Sequence, residues 1–315
     1  MEQKTYIKAS ADDLNLATML IAPDERQPRG IVQFVHGMCD HKERYYPFMR
    51  FLAGHGYVCV IHDQRGHGES VKSKVDLGYM YSGGWKAMIE DVRLVNEWVR
   101  KRYPNLKVIL FGHSMGSMVA RSFVKRYDNL VSNLFVCGCP SYNPGTPLAL
   151  LLAKLITFFK GSHHRPLLLQ NLSFGTFNKP FKDEGYPQAW VCSDPDTLKA
   201  YHADPLCMFT FTANGYENLF RLMLDCYSSK GWKMSNPNMP VHFISGGNDP
   251  CRISDKAFHK AAEFMRSVGY KNTTEKLYPG MRHEILNETD RQQVWNDILG
   301  LCDTLTCFIH RMALS

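Results

Sequence analysis

Short apolar runs recur along the chain between segments in which apolar positions return every three or four residues, so buried strands and amphipathic helices take turns. Residues 14–22, 30–36, 57–61, 107–111 and 131–137 predict strands, and Gly30-Ile31-Val32-Gln33-Phe34-Val35-His36 is apolar enough to lie inside a sheet. Residues 44–53 have helical character and stop at Gly54 and Gly56. Residues 85–102 repeat Ile89, Val92, Val95 and Val99 at helical spacing and stop at Tyr103-Pro104, and a helix over about 115–127 follows strand 107–111. The rhythm returns late in the chain with strand 240–245, helix 253–268, strand 274–278 and helix 288–309. This alternation predicts an α/β fold with a mostly parallel central sheet and helices on both faces.

Between 140 and 235 the alternation fails. The segment is rich in Pro, Phe, Leu and Asn, with local helical stretches and no convincing buried strand. It predicts a mainly helical insertion after a sheet strand, capping the strand ends where α/β sites lie. The chain then divides into a first core part (1–139), a cap (140–235) and a second core part (236–315). Within the cap, residues 147–159 are apolar almost all round yet too short to span a bilayer. They predict either a helix packed on the cap's own core or an exposed lid that touches lipid or lines an acyl tunnel.

The densest chemical signal is Gly112-His113-Ser114-Met115-Gly116, directly after strand 107–111. G-x-S-x-G between a strand and a helix is the pattern of a nucleophile elbow, and glycine at 112 and 116 is what lets so tight a turn form. A serine hydroxyl is a poor nucleophile at neutral pH, so Ser114 needs a base and a third group to hold that base. Asp249 follows strand 240–245 in Gly246-Gly247-Asn248-Asp249-Pro250, and His283 follows strand 274–278 in Pro279-Gly280-Met281-Arg282-His283-Glu284. Competitors fit other roles: Asp255 as a helix cap, Glu284 and Glu288 at a helix start, His242 inside a strand, His259 inside a helix. The oxyanion donors expected are the backbone amides of Met115 and, after strand 30–36, of Met38.

Composition changes this picture little. The 315 residues are 44% hydrophobic with a formal charge of +7, and no Lys/Arg run is long enough for a nucleic-acid arm, so no nucleic-acid partner is expected. Ten cysteines are scattered without a C-x-x-C pair, several inside apolar segments, as buried reduced thiols are. The first twenty residues carry Glu2, Lys4, Lys8, Asp12 and Asp13 and contain no signal-peptide core, so a cytoplasmic address is expected. His36, Cys39 and His41, with His62 and His67 nearby, match no metal-ligand spacing, and Gly66-His67-Gly68 lacks the third glycine of a dinucleotide loop. Neither a metal nor a cofactor is expected.

Taken in order, His36-Gly37, Asp63-Gln64-Arg65-Gly66-His67-Gly68-Glu69-Ser70, the elbow, Gly247-Asn248-Asp249-Pro250 and Arg282-His283-Glu284 resemble the α/β-hydrolase fold. Within it the chain resembles the monoacylglycerol lipase and lysophospholipase branch, of serine aminopeptidase S33 type. The likeness is best over 25–140 and 236–310. In that branch the oxyanion loop reads H-G-x-G-E-H followed by R-Y. Here it is His36-Gly37-Met38-Cys39-Asp40-His41, then Arg44-Tyr45, so Asp40 and Arg44 match in position, Cys39 replaces a glycine, and Asp40 is one methylene short. The resemblance implies that Asp40 and Arg44 lie near a polar headgroup; a local ion pair fixing the loop is the other reading. It further implies a serine hydrolase that cleaves carboxylic esters through an acyl-enzyme, with monoacylglycerols or lysophospholipids as substrates. The alternatives are a small-molecule esterase, a prolyl aminopeptidase-like amidase using Asp183-Glu184 or Asp194 and Asp196, and a silent ligand receptor on the same scaffold. Such receptors usually lose a triad member or an elbow glycine, and none is missing here.

Overall fold

The sheet orders its eight strands β1-β2-β4-β3-β5-β6-β7-β8. They are β1 (Glu2–Lys8), β2 (Asn15–Ile21), β3 (Gly30–Val35), β4 (Tyr57–His62), β5 (Val108–His113), β6 (Asn133–Cys137), β7 (Val241–Gly246) and β8 (Thr273–Tyr278). From β4 through β8 every pairing is parallel, while β1 and β2 form an antiparallel edge. This is a computed structural model; it describes residues 1–24 and 27–312, with side chains as far as Asp303. The end of the predicted second core part, 313–315, and the Cys307 side chain lie outside the described residues.

Strand alternation sorts the core into two halves. Ile31 and Val35, Val58 and Val60, and Leu110 point to one face, where they meet α2 (Gly84–Arg102), α3 (Met115–Tyr127) and α8 (Asp255–Ser267). Val32 and Phe34, Cys59 and Ile61, and Phe111 point to the other, against α1 (Tyr46–Gly54) and α9 (Arg291–Met312). The strands buried on both faces are those whose sequences read as continuous apolar runs.

Four helices lie between β6 and β7: α4 (Thr146–Lys160), α5 (Leu167–Phe174), α6 (Pro195–Ala203) and α7 (Ala213–Cys226). Helix α4 covers residues 147–159, and its two faces differ. Leu152, Ala153 and Ile156 pack toward the core, while Leu148, Leu151, Leu155, Phe158 and Phe159 are exposed.

Three expectations differ from the fold. Strand β1 was not predicted, since its positions alternate between exposed and half-buried and never reach full burial, as suits an edge held by β2 alone. The helix expected from Arg44 starts as a 3₁₀ turn over Lys42–Tyr45 and becomes α1 at Tyr46, with Pro47 in its first turn, where its missing N–H costs nothing. The last helix begins at Arg291 rather than 288.

Phe111 sits fully buried between Phe34, Phe48 and Phe135, with ring centroids 5.4, 6.2 and 5.8 Å away. Phe111→Ala should destabilise the protein by about 3–5 kcal/mol, read as a lower urea midpoint with an unchanged slope.

Candidate active site

Ser114 stands between β5 and α3 with φ 53° and ψ −122°, a positive φ that side chains rarely adopt. Its amide donates to the Cys137 carbonyl at 2.9 Å, fixing the turn to β6. The two glycines are required by space. A Cβ on Gly112 would lie 2.5 Å from the Gly116 carbonyl oxygen, and one on Gly116 would lie 2.1 Å from the Val35 oxygen. Met115 opens α3, so its N–H has no carbonyl four residues back within the helix to donate to. Gly37 packs so closely that a Cβ there would come within 3.1 Å of the Ser114 Cβ, which brings the Met38 loop alongside the serine.

Asp249 and His283 come from the loops after β7 and β8, as the sequence predicts. His283 Nδ1 donates to Asp249 Oδ2 at 3.0 Å. Asp249 also accepts from Ser245 Oγ and from the Cys251 amide, each at 2.8 Å, so both carboxylate oxygens are occupied. Burial alone would raise the carboxyl's pKa, but His283 and these donors outweigh it and hold it below the usual range. Burial pulls the other way on the imidazole, and the facing Asp249 carboxylate overrides it, leaving His283 well above the ordinary histidine value.

Ser114, His283, Met38 and Met115 open onto one cavity of about 690 Å³. Met118, Leu148, Leu152, Phe209, Leu219 and Phe220 supply apolar wall, and Trp190 lies with its ring centroid 5.1 Å from that of His283.

The structure gives Asp40 and Arg44 partners that sequence reasoning missed. Arg44 reaches Asp40 at 3.0 Å and makes a two-pronged pair with Glu284, 240 residues away. Asp40 also accepts from the Gly37 amide and from Tyr45 Oη, and Tyr45 in turn meets His113 Nδ1 at 3.2 Å. His113 Nε2 lies 3.2 Å from the His283 carbonyl oxygen, and burial together with His283 pushes its pKa down to about 4. The local ion pair is therefore formed; Asp40 reaches the cavity wall, and Arg44, half-buried, is not among the residues lining it. No local spacing announces the Glu284 partnership.

Glu284 and Glu288 do not serve a helix start: Glu288 accepts from the amides of Arg282 and Ser193. The cap of α8 is Ser254, not Asp255, and Asp255 pairs with Arg252. His242 lies in β7 and His259 in α8. His36 has both ring nitrogens engaged, by the Gly37 carbonyl and the Gln64 amide. Among the described residues, the groupings spaced to share a metal are His41–Asp204–Cys207, Asp249–Cys251–His283 and His259–Glu263–Glu275, none of them the set named from the sequence.

An elbow after β5, an acid after β7 and a histidine after β8, on this strand order, define an α/β-hydrolase. The chain belongs to the serine aminopeptidase S33 family (Hydrolase_4), which it matches over residues 26–290. It is 24% identical over 277 residues to the monoacylglycerol lipase of Mycolicibacterium smegmatis, covering 87% of this chain and 88% of that one. With the monoglyceride lipase of Homo sapiens it shares 24% over 266 residues, 83% of this chain and 77% of the relative. Among solved structures, a highly thermostable carboxyl esterase from Bacillus coagulans in complex with glycerol aligns with a TM-score of 0.88 at 26% identity, covering 97% and 99% of the two chains.

A base must be neutral to take a proton, so kcat/KM should rise with pH along a limb set by His283. Because the Asp249 carboxylate favours imidazolium, that limb should lie above about 6.5. Asp249→Asn should move it down and lower kcat by roughly 10⁴, both read from one pH–rate profile.

Proposed function

We propose that the protein hydrolyses carboxylic monoesters of long acyl chains through an acyl-enzyme on Ser114. The observation that carries this reading is the joining of Ser114 and His283 to a largely apolar cavity whose size suits a lipid-like ligand. His283 Nε2 takes the Ser114 proton as Oγ attacks the ester carbonyl, and Asp249 holds Nδ1–H so that Nε2 is the nitrogen left to accept. The Met38 and Met115 amides receive the oxyanion. His283 then protonates the departing alcohol, and water, deprotonated by the same imidazole, releases the acid.

The ester reading is favoured over an aminopeptidase by the carboxylates. Asp183, Glu184, Asp194 and Asp196 are not among the residues lining the cavity; Glu184 is held by Arg282, and Asp194 caps α6. The two carboxylates that do line it, Asp40 and Glu284, both pair with Arg44, so neither stands as an unpaired anion set aside for a substrate ammonium. Asp40 then meets the headgroup as a hydrogen-bond acceptor, and Arg44 fixes the loop.

Residues 140–235 act as the cap, and the exposed apolar side chains of α4 and α5 lie at its outer surface. Leu148 and Leu172 belong both to that surface and to the cavity lining, so lipid could pass from one to the other. From Asn129 through Lys182 the sequence carries no Asp or Glu, whereas Lys154, Lys160, Arg165, Lys179 and Lys182 are basic, which suits transient contact with an anionic membrane surface. Among the described residues no helix is long and apolar enough to cross a membrane. The nine described cysteines are unpaired, which supports the cytoplasmic address.

Ser114→Ala should lower kcat on p-nitrophenyl esters by about 10⁴ or more while the fold is retained. In the parent, a chain-length series run beside monoacylglycerol and lysophosphatidylcholine should favour long acyl groups; a sharp optimum at short chains would refute the acyl cavity. Replacing Phe158 and Phe159 with Ser should reduce sedimentation with anionic vesicles and leave hydrolysis of a soluble short ester within about twofold.

A further inference from the structure

The loop carrying His283 is gripped by the cap on both sides of the histidine. On one side, the Glu284 amide donates to the Val191 carbonyl at 2.8 Å. On the other, the Arg282 guanidinium enters the cap, donating to the Ala189 and Cys192 carbonyls at 2.6 and 3.1 Å and pairing with Glu184 at 2.8 Å. Beneath both, Glu288 is 1% exposed and divides its carboxylate between the two chains: Oε1 accepts from the Arg282 amide at 2.8 Å and from the Ser193 amide at 3.1 Å, and Oε2 accepts from the Ser193 hydroxyl.

We propose that Glu288 and Arg282 are positioning residues for His283, and that cap residues 184–193 form a fixed extension of the base loop. This rests on the reading of His283 as the catalytic base. A buried carboxylate whose lone pairs are taken by amides and a hydroxyl from two segments cannot let those segments part without leaving charge and donors unpaired. The same grip delivers Trp190 against the imidazole, so cap and base keep one geometry. Neither Glu288 nor Arg282 is among the residues lining the cavity, so any effect on turnover must pass through the loop.

The test compares Glu288→Ala, Glu288→Gln and Ser193→Ala with the parent on p-nitrophenyl butyrate, each rate divided by sites titrated with a fluorophosphonate. Glu288→Ala should lower kcat per titrated site by about tenfold or more with KM nearly unchanged, since small misplacements of a base are costly. Its acid limb should move to lower pH as the imidazole leaves Asp249. Glu288→Gln, which keeps an acceptor for the Arg282 amide, should recover most of the rate. Ser193→Ala, the milder change to use if Glu288→Ala does not fold, should give a smaller loss in kcat of the same kind. A lowered melting temperature with kcat per site and pH limb unchanged in Glu288→Ala, or in Ser193→Ala in its place, would overturn the proposal alone. A parent that neither turns over nor labels would overturn the serine-hydrolase reading along with it.

Discussion

A backbone carbonyl pressed against a glycine sets the geometry of the whole site. Where β3 ends, the Val35 oxygen occupies space that any side chain at Gly116 would need, and this contact brings the carboxyl ends of β3 and β5 together. With those ends side by side, the loop after β3 has nowhere to go but across Ser114, and Gly37 lies against it. The opening of α3, the course of the loop after β3 and the strained serine are thus consequences of one close approach, and parallel pairing then places the β7 and β8 loops on the same rim.

Around that rim, charge is buried only where it is answered. Asp249 faces His283 and two further donors, Arg44 lies between Asp40 and Glu284, and Lys42 is enclosed by Asp63, Glu43 and Glu69. Such groups are expensive to desolvate, and breaking any one pairing would strand its partner. They add less to stability than to precision: each fixes a loop from a different part of the chain in one position. His113, at the variable position of the elbow, joins this system by linking Tyr45 to the carbonyl of His283.

Residues whose roles follow from local backbone chemistry were legible in the sequence. Ser114 needs glycines two positions away on either side, and Asp249 and His283 each lie in a loop that follows a strand, so spacing exposes the positions of all three. Strands β3 to β7 were legible because they are buried on both faces, whereas β1, half-buried at best, left no such trace. Partnerships across long loops were not legible. Glu284 and Glu288 look like helix-start acids until folding brings Arg44 and Ser193 to them, and helix 147–159 looks uniformly apolar because one of its faces meets protein and the other meets solvent.

The divided character of the inserted segment bears on how such a chain can diversify. Much of the wall that an acyl group would touch belongs to α4 and α5, while the stretch bonded to the histidine loop lies further along, adds Gln188, Trp190 and Val191 to the same wall, and contributes polar anchorage. Substitutions in α4 and α5 would therefore reshape part of the cavity while leaving the bonds to the histidine loop in place, whereas a change at Trp190 would alter the acyl wall and the neighbour of the imidazole together.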